Sequence, residues 1–109
     1  CGGEAVLFDF DRSNIKSSET AKLTSVAECL KGDNTAPMTI NGHCDERGTA
    51  EYNLALGERR AQSARKYLER LGVAGNKLST LSRGEEDPAV AESNKKAWAK
   101  NRRAEFSSR

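Results

Sequence analysis

The run Asn41-Gly42-His43-Cys44-Asp45-Glu46-Arg47-Gly48-Thr49, followed by Glu51-Tyr52-Asn53-Leu54-Ala55-Leu56-Gly57-Glu58-Arg59-Arg60-Ala61, decides the fold. From Met38 to Cys44 the chain alternates: Met38, Ile40, Gly42 and Cys44 fall on one side and Thr39, Asn41 and His43 on the other, the period of a strand. From about Glu51 to Leu71 the period becomes helical. Gly57, Ala61, Ala64, Leu68 and Leu71 line an inner face, Arg59, Ser63, Lys66 and Arg70 an outer one, and Gly72 is a good stop. The polar loop between the two elements delivers an acid, Asp45, at the strand end. The helix presents a base, Arg60, fifteen residues later. Held by rigid elements on both sides, such a pair can grip a ligand that carries both an ammonium and a carboxylate.

Working outward, Ala5 to Asp11 reads as a first strand with Phe8 and Phe10 on one face and Asp9 and Asp11 on the other. Ser17 or Ser18 can cap a helix running to about Leu30, with Leu23, Val26, Ala27 and Leu30 at the spacing of a buried stripe. Lys31-Gly32-Asp33-Asn34 ends it. Leu78 to Arg83 forms a short third strand, Glu85-Glu86-Asp87-Pro88 an acidic loop, Glu92 to Lys100 a short helix, and Arg102 to Ser107 a fourth strand. The order βαβαβ(α)β predicts an α+β two-layer sandwich, a small mixed four-stranded sheet with helices packed on it. Residues 1–4 read as a tail or a remnant of trimming, and 5–109 as the domain.

Composition narrows the function. The chain has 109 residues, one domain by size, with 36% hydrophobic and 31% charged residues. No apolar run reaches the ~18–20 residues that span a bilayer. Eighteen basic against 16 acidic residues leave a net charge of +2, and only 6% of residues are aromatic. That near balance, without stacking rings among the basic residues, argues against a nucleic-acid partner. Three cysteines permit at most one internal disulfide. Cys29, at a helix end, and Cys44, at a strand end, are expected at opposite edges of the sheet. That is too far for the roughly 4.4–6.8 Å of bridged Cα atoms, so both are expected as small buried thiols. Cys1 has two readings: a lipid-carrying cysteine, or part of the trimmed end.

The individual residues are each ambiguous. Arg60 shares a row with Ala64, Tyr67 and Leu71, so it should be partly buried, and a buried guanidinium needs partners. Those partners are either a ligand carboxylate or an internal acid, Asp45 itself among them. Asp45 sits where crevices form at strand ends, yet an acid ahead of a helix also serves as a cap. His43, Cys44, Asp45 and Glu46 have metal-ligand types, but neighbours on a strand point apart, so no metal or other cofactor is expected. No nucleophile elbow or paired catalytic set stands out, and no enzymatic activity is expected.

Taken in series, Phe8-Asp9-Phe10-Asp11, Asn41 to Thr49, Glu51-Tyr52-Asn53, Leu56 to Ala61 and Asn101-Arg102-Arg103-Ala104 resemble the OmpA-like peptidoglycan-binding domain. The resemblance covers about residues 5 to 106. It implies non-covalent binding of the peptidoglycan peptide stem, with Asp45 taking the ammonium of meso-diaminopimelate and Arg60 its carboxylate. It further implies that the turn of Phe8, Asp9, Phe10 and Asp11, the Gly48-Thr49 loop and Asn53 shape the pocket, and that Arg103 braces the fold or the site edge. It implies a monomer at the periplasmic face of the outer membrane, anchored there by an N-terminal lipid with Cys1 as the candidate residue. The Tol system, chiefly TolB, is the implied protein partner. The chain departs from the family at Arg83, where an aromatic is common. Two other readings remain: an enzyme acting on cell-wall peptides, and a wall anchor of a motor complex.

Overall fold

A computed structural model describes residues 1–32 and 36–108. The elements are β1 (Val6–Leu7), α1 (Thr20–Leu30), β2 (Met38–His43), α2 (Ala50–Arg70), β3 (Leu78–Gly84), α3 (Lys95–Asn101) and β4 (Arg103–Ser108). Single 3-10 turns precede α1 and β3. The four strands form one mixed sheet in the order β1-β4-β2-β3, with β4 antiparallel to both its neighbours and β2 parallel to β3. The α+β sandwich expected from the element order is what the chain adopts.

One face of the sheet meets α1 and α2. Met38, Ile40, Leu78 and Ala104 from the sheet close on Leu23, Val26, Ala27 and Leu30 of α1 and on Ala61, Ala64 and Leu68 of α2. All of them are buried, so the two helical stripes read from the sequence are the ones that face the core. Burying side chains of this size stabilises the fold by roughly 1.5–3 kcal/mol each for the larger ones. Among the described residues, no helix is long and apolar enough to cross a membrane.

Three expectations need correction. The first strand is two residues long, because β1 pairs with β4 only at Val6–Ala104 and Leu7–Arg103. Beyond Leu7 the chain turns: Arg12 N–H donates to the Asp9 carbonyl, and Asp11 takes φ 58°, a left-handed value that aspartate tolerates. Phe8 therefore stays in the core while Phe10 is exposed. Second, α3 begins at Lys95, because Asn94 is the cap: its side chain accepts from the Ala97 N–H. Third, Cys29 is not a buried thiol. It is exposed and bonded to Cys1, with Cα atoms 5.5 Å apart. The Cys1 sulfur is engaged in this bond. The bond ties the segment ahead of β1 to the end of α1 across 28 residues, and in the chain-entropy picture such a loop contributes about 3.5 kcal/mol. Cys44 is the free, buried cysteine. Of the segment expected to end α1, Asp33 and Asn34 lie outside the described residues.

The other face of the sheet is polar. Thr39 and Ser79 share a hydrogen bond at 3.0 Å, and Asn41 donates to Ser107 at 2.9 Å. His43 lies on this face beside Arg103 and is fully buried. Its Nε2 is 3.3 Å from Glu105, but neither ring nitrogen has hydrogen-bond geometry to a partner. Burial, and then the Arg103 charge, push its pKa from 6.5 down to about 4 against the opposing pull of Glu105 and Asp87. The folded pKa lies below the unfolded one. The unfolded chain therefore takes up the proton first as pH falls, and stability drains away between about pH 6.5 and 4. The loss should approach about 3 kcal/mol, and urea titrations at several pH values should show it. A His43→Gln variant should be nearly flat from neutral pH down to about pH 5, above the range where carboxylates titrate.

Candidate functional site

The cleft opens where β2 hands over to α2. The Cys44 N–H donates to the Gly84 carbonyl at 2.8 Å, which extends β2 by one residue beside β3. The chain then loops to Thr49, whose hydroxyl accepts from the Tyr52 N–H and caps α2. Asn53, buried in the first turns of α2, holds this loop from behind. Its Nδ2 donates to the carbonyls of Asp45 and Arg47 and to the Glu85 carboxylate. The turn after β1 forms the opposite wall. There the Tyr52 hydroxyl hydrogen-bonds the Asp11 carboxylate and joins the walls at the rim. The enclosed cleft measures about 410 Å³, a size that suits one small ligand.

Arg60 forms the floor. It is 1% exposed, deeper than the partial burial its helical row suggested. Its guanidinium donates from Nε to the Arg12 carbonyl at 2.9 Å, from Nη1 to the His43 carbonyl at 2.9 Å and from Nη2 to the Asp9 carbonyl at 3.2 Å. The Phe8 ring lies 5.3 Å beneath it. These bonds hold the turn after β1 against the end of β2, so Arg60 positions the wall of its own cleft. One N–H on each terminal nitrogen remains, and among the described residues no carboxylate lies within salt-bridge range. The expected alternative of a bridge to Asp45 is therefore not formed. Burial pulls the Arg60 pKa below its ordinary value, partly offset by Asp45 and Asp11.

Asp45 forms the other end. It is 4% exposed, and it does not cap α2, since Thr49 does. One carboxylate oxygen accepts from the Arg47 main-chain N–H at 3.0 Å and from its Nε at 3.1 Å. The other accepts from Arg47 Nη2 at 2.9 Å. Arg102 Nη1 stands 3.7 Å away. Burial alone would raise the Asp45 pKa, but the hydrogen bonds and charge of Arg47 outweigh it and hold the carboxyl below its ordinary value. Arg47 in turn lies between two rings, 4.0 Å from the Phe10 centroid and 4.1 Å from that of Trp98. Trp98 is fixed by donating Nε1–H to Glu46 at 2.6 Å.

Of the residues read from the sequence, Asp45, Arg60, Asn53, Gly48 and Phe10 line the cleft. Phe8 supports it from the core, Asp9 contributes its carbonyl to Arg60, and Thr49 contributes the helix cap. Arg103 braces the loop behind, donating to the carbonyls of Asn101 and Asp87 and to Glu105. Arg47, Tyr52, Leu56 and Cys44 also line the cleft, although residue types alone did not single them out for it. The Cys44 thiol donates to the Asn53 carbonyl, and burial pushes its pKa up to about 11, so it is an inert wall rather than a nucleophile.

A mixed four-stranded sheet backed by two helices, with a buried arginine and a buried aspartate at the outlet of the central parallel strand, defines a charged-cleft α+β sandwich. The chain belongs to the OmpA family, whose profile matches residues 7–102. It is 44% identical over 102 residues to the peptidoglycan-associated lipoprotein of Rhizobium meliloti (strain 1021), covering 94% of this chain and 58% of that protein. It is 42% identical to the protein of the same name from Mesorhizobium japonicum, covering 94% and 61%. The chain thus spans about three fifths of the length of these curated relatives. Among solved structures, the peptidoglycan-associated lipoprotein from Burkholderia pseudomallei superposes with a TM-score of 0.90 at 40% identity, over 94% of this chain and 86% of that one.

Proposed function

We propose that this domain anchors its protein to the cell wall by gripping the peptide stem of peptidoglycan non-covalently at the Asp45–Arg60 cleft. The stem element is meso-diaminopimelate: its side-chain carboxylate pairs with Arg60 and its ammonium with Asp45. One observation carries this reading. Arg60 is a fully buried cation whose partners are neutral carbonyls and which still has N–H groups to give. A guanidinium so placed lacks the counter-charge that ordinarily offsets its desolvation, and a bidentate carboxylate supplies it. The relatives' name, peptidoglycan-associated lipoprotein, supports peptidoglycan as the binding partner and a binding role rather than catalysis. Attachment to the outer membrane and a TolB partner belong to this reading through the family resemblance. No feature of the cleft favours hydrolysis of wall peptides.

The test is calorimetric titration with a soluble stem peptide carrying meso-diaminopimelate beside its lysine counterpart. The lysine peptide lacks the carboxylate and should bind on the order of 10- to 100-fold more weakly, the value of a charged hydrogen-bonded contact. Equal affinity for the two, or binding of neither, would sink the proposal.

A further inference from the structure

The two halves of the cleft are not in the same state. Arg60 still has N–H groups to offer, whereas the Asp45 carboxylate is already filled by a cation from its own loop. The Arg47 guanidinium and main-chain N–H together take both oxygens of Asp45, and the guanidinium is stacked between Phe10 and Trp98. A carboxylate floor with two aromatic walls is a general receptor for an organic cation. We infer that Arg47 is a resident cation: it occupies the ammonium half of the cleft, and a ligand binds by exchanging its own ammonium for Arg47.

The geometry supports exchange rather than a shared site. Arg47 already fills both oxygens of Asp45 with three donors, so an incoming ammonium would meet its repulsion at a carboxylate that is 4% exposed, where little water screens it. Arg102 Nη1, 3.7 Å from the Oδ2 that Arg47 Nη2 already uses, adds a second positive charge. Arg47 is free to leave. Its side chain is 34% exposed, and the next residue, Gly48, sits at φ 99°, where glycine turns without strain. Trp98 and Glu46 hold each other, so the slot keeps its shape when the guanidinium departs. Exchange makes the apparent affinity equal to the intrinsic affinity multiplied by the fraction of molecules in which Arg47 has moved away. It also requires a ligand that rewards the exchange elsewhere, which a carboxylate on Arg60 does. This inference deepens the proposed function and rests on it for the ligand.

The experiment has two arms. In the first, wild type, Arg47→Ala and Trp98→Ala are titrated with the diaminopimelate stem peptide. Arg47→Ala should bind about tenfold tighter than wild type, whereas Trp98→Ala, which removes a wall from the resident and the incoming cation alike, should bind no tighter than wild type. Unchanged or weaker binding in Arg47→Ala overturns the exchange, since Arg47 would then be a ligand contact or a bystander. The second arm needs no peptidoglycan. Methylammonium chloride is titrated into each protein while the backbone amides of Phe10, Asp45 and Trp98 are followed by NMR. Saturable shifts are expected in Arg47→Ala and not in wild type, and their absence from Arg47→Ala overturns the cation site. A wild type that ignores the stem peptide, beside an Arg47→Ala that takes methylammonium, rejects the peptidoglycan reading while keeping the resident cation.

Discussion

Arg60→Ala is expected to lose stem-peptide binding by more than about 100-fold and to destabilise the domain by about 2–4 kcal/mol. The two effects have different origins. Binding is lost because the carboxylate has no donor and falls onto a floor of bare carbonyls, a repulsive replacement. Stability is lost because the carbonyls of Asp9, Arg12 and His43 lose their shared donor and a large buried volume empties. Removing a cation that burial already disfavours returns part of that energy, which keeps the figure below that of a large apolar deletion. Arg60→Lys separates the two. It keeps the charge but replaces the planar fork with a point donor, so it should fold with a smaller loss and still bind at least about tenfold more weakly. Urea unfolding alongside titration checks both. A folded Arg60→Ala that binds within threefold of wild type would remove the carboxylate clamp. Conversely, saturating ligand should raise the wild-type melting temperature, because it binds only the folded form.

What could be read from the sequence divides along a physical line. The helical stripe Gly57, Ala61, Ala64, Leu68 and the alternation of Met38 and Ile40 are local periodicities, and burial follows them. The Asp45–Arg60 pair was visible because the strand–loop–helix motif fixes both ends. The partners of that pair were not visible. Arg60 bonds to main-chain carbonyls, which every residue possesses and no sequence displays. Arg47 returns to Asp45 two residues back, a contact set by loop conformation. The alternation at Phe8 and Phe10 looked like a strand because period two does not distinguish a strand from a short pairing followed by a turn. Pairing with β4, almost a hundred residues away in the chain, stops at Leu7. The Cys1–Cys29 bond has the same non-local origin. It depends on how the segment ahead of β1 lies against the end of α1, which neither cysteine's local context reveals.

Gly42→Ala is expected to destabilise the fold severely, by at least about 4 kcal/mol out of the 5–15 kcal/mol that a domain of this size commonly has. The reason is a backbone-on-backbone crossing. A Cβ at position 42 would lie 1.7 Å from the Gly57 carbonyl oxygen and 2.6 Å from its carbon. Neither atom belongs to a side chain that can rotate away, so α2 itself would have to lift off β2. Lifting it moves Arg60, one turn after Gly57, away from the carbonyls of Asp9, Arg12 and His43, and moves Asn53, one turn before, away from the Asp45 loop. The crossing that closes the core is therefore the one that sets the cleft. Gly57→Ala should be milder. Its nearest contact is the Ser82 hydroxyl at 2.4 Å, which can turn, although the Gly42 carbonyl oxygen at 2.8 Å still resists. Alanine also gains about 1 kcal/mol over glycine within a helix. A net loss of about 1–3 kcal/mol, with a folded protein and weakened stem binding, is the expected result. Thermal and urea unfolding followed by circular dichroism will rank the two variants. A Gly42→Ala protein as stable as Gly57→Ala would show that α2 can move outward without strain, and that the cleft does not depend on this contact.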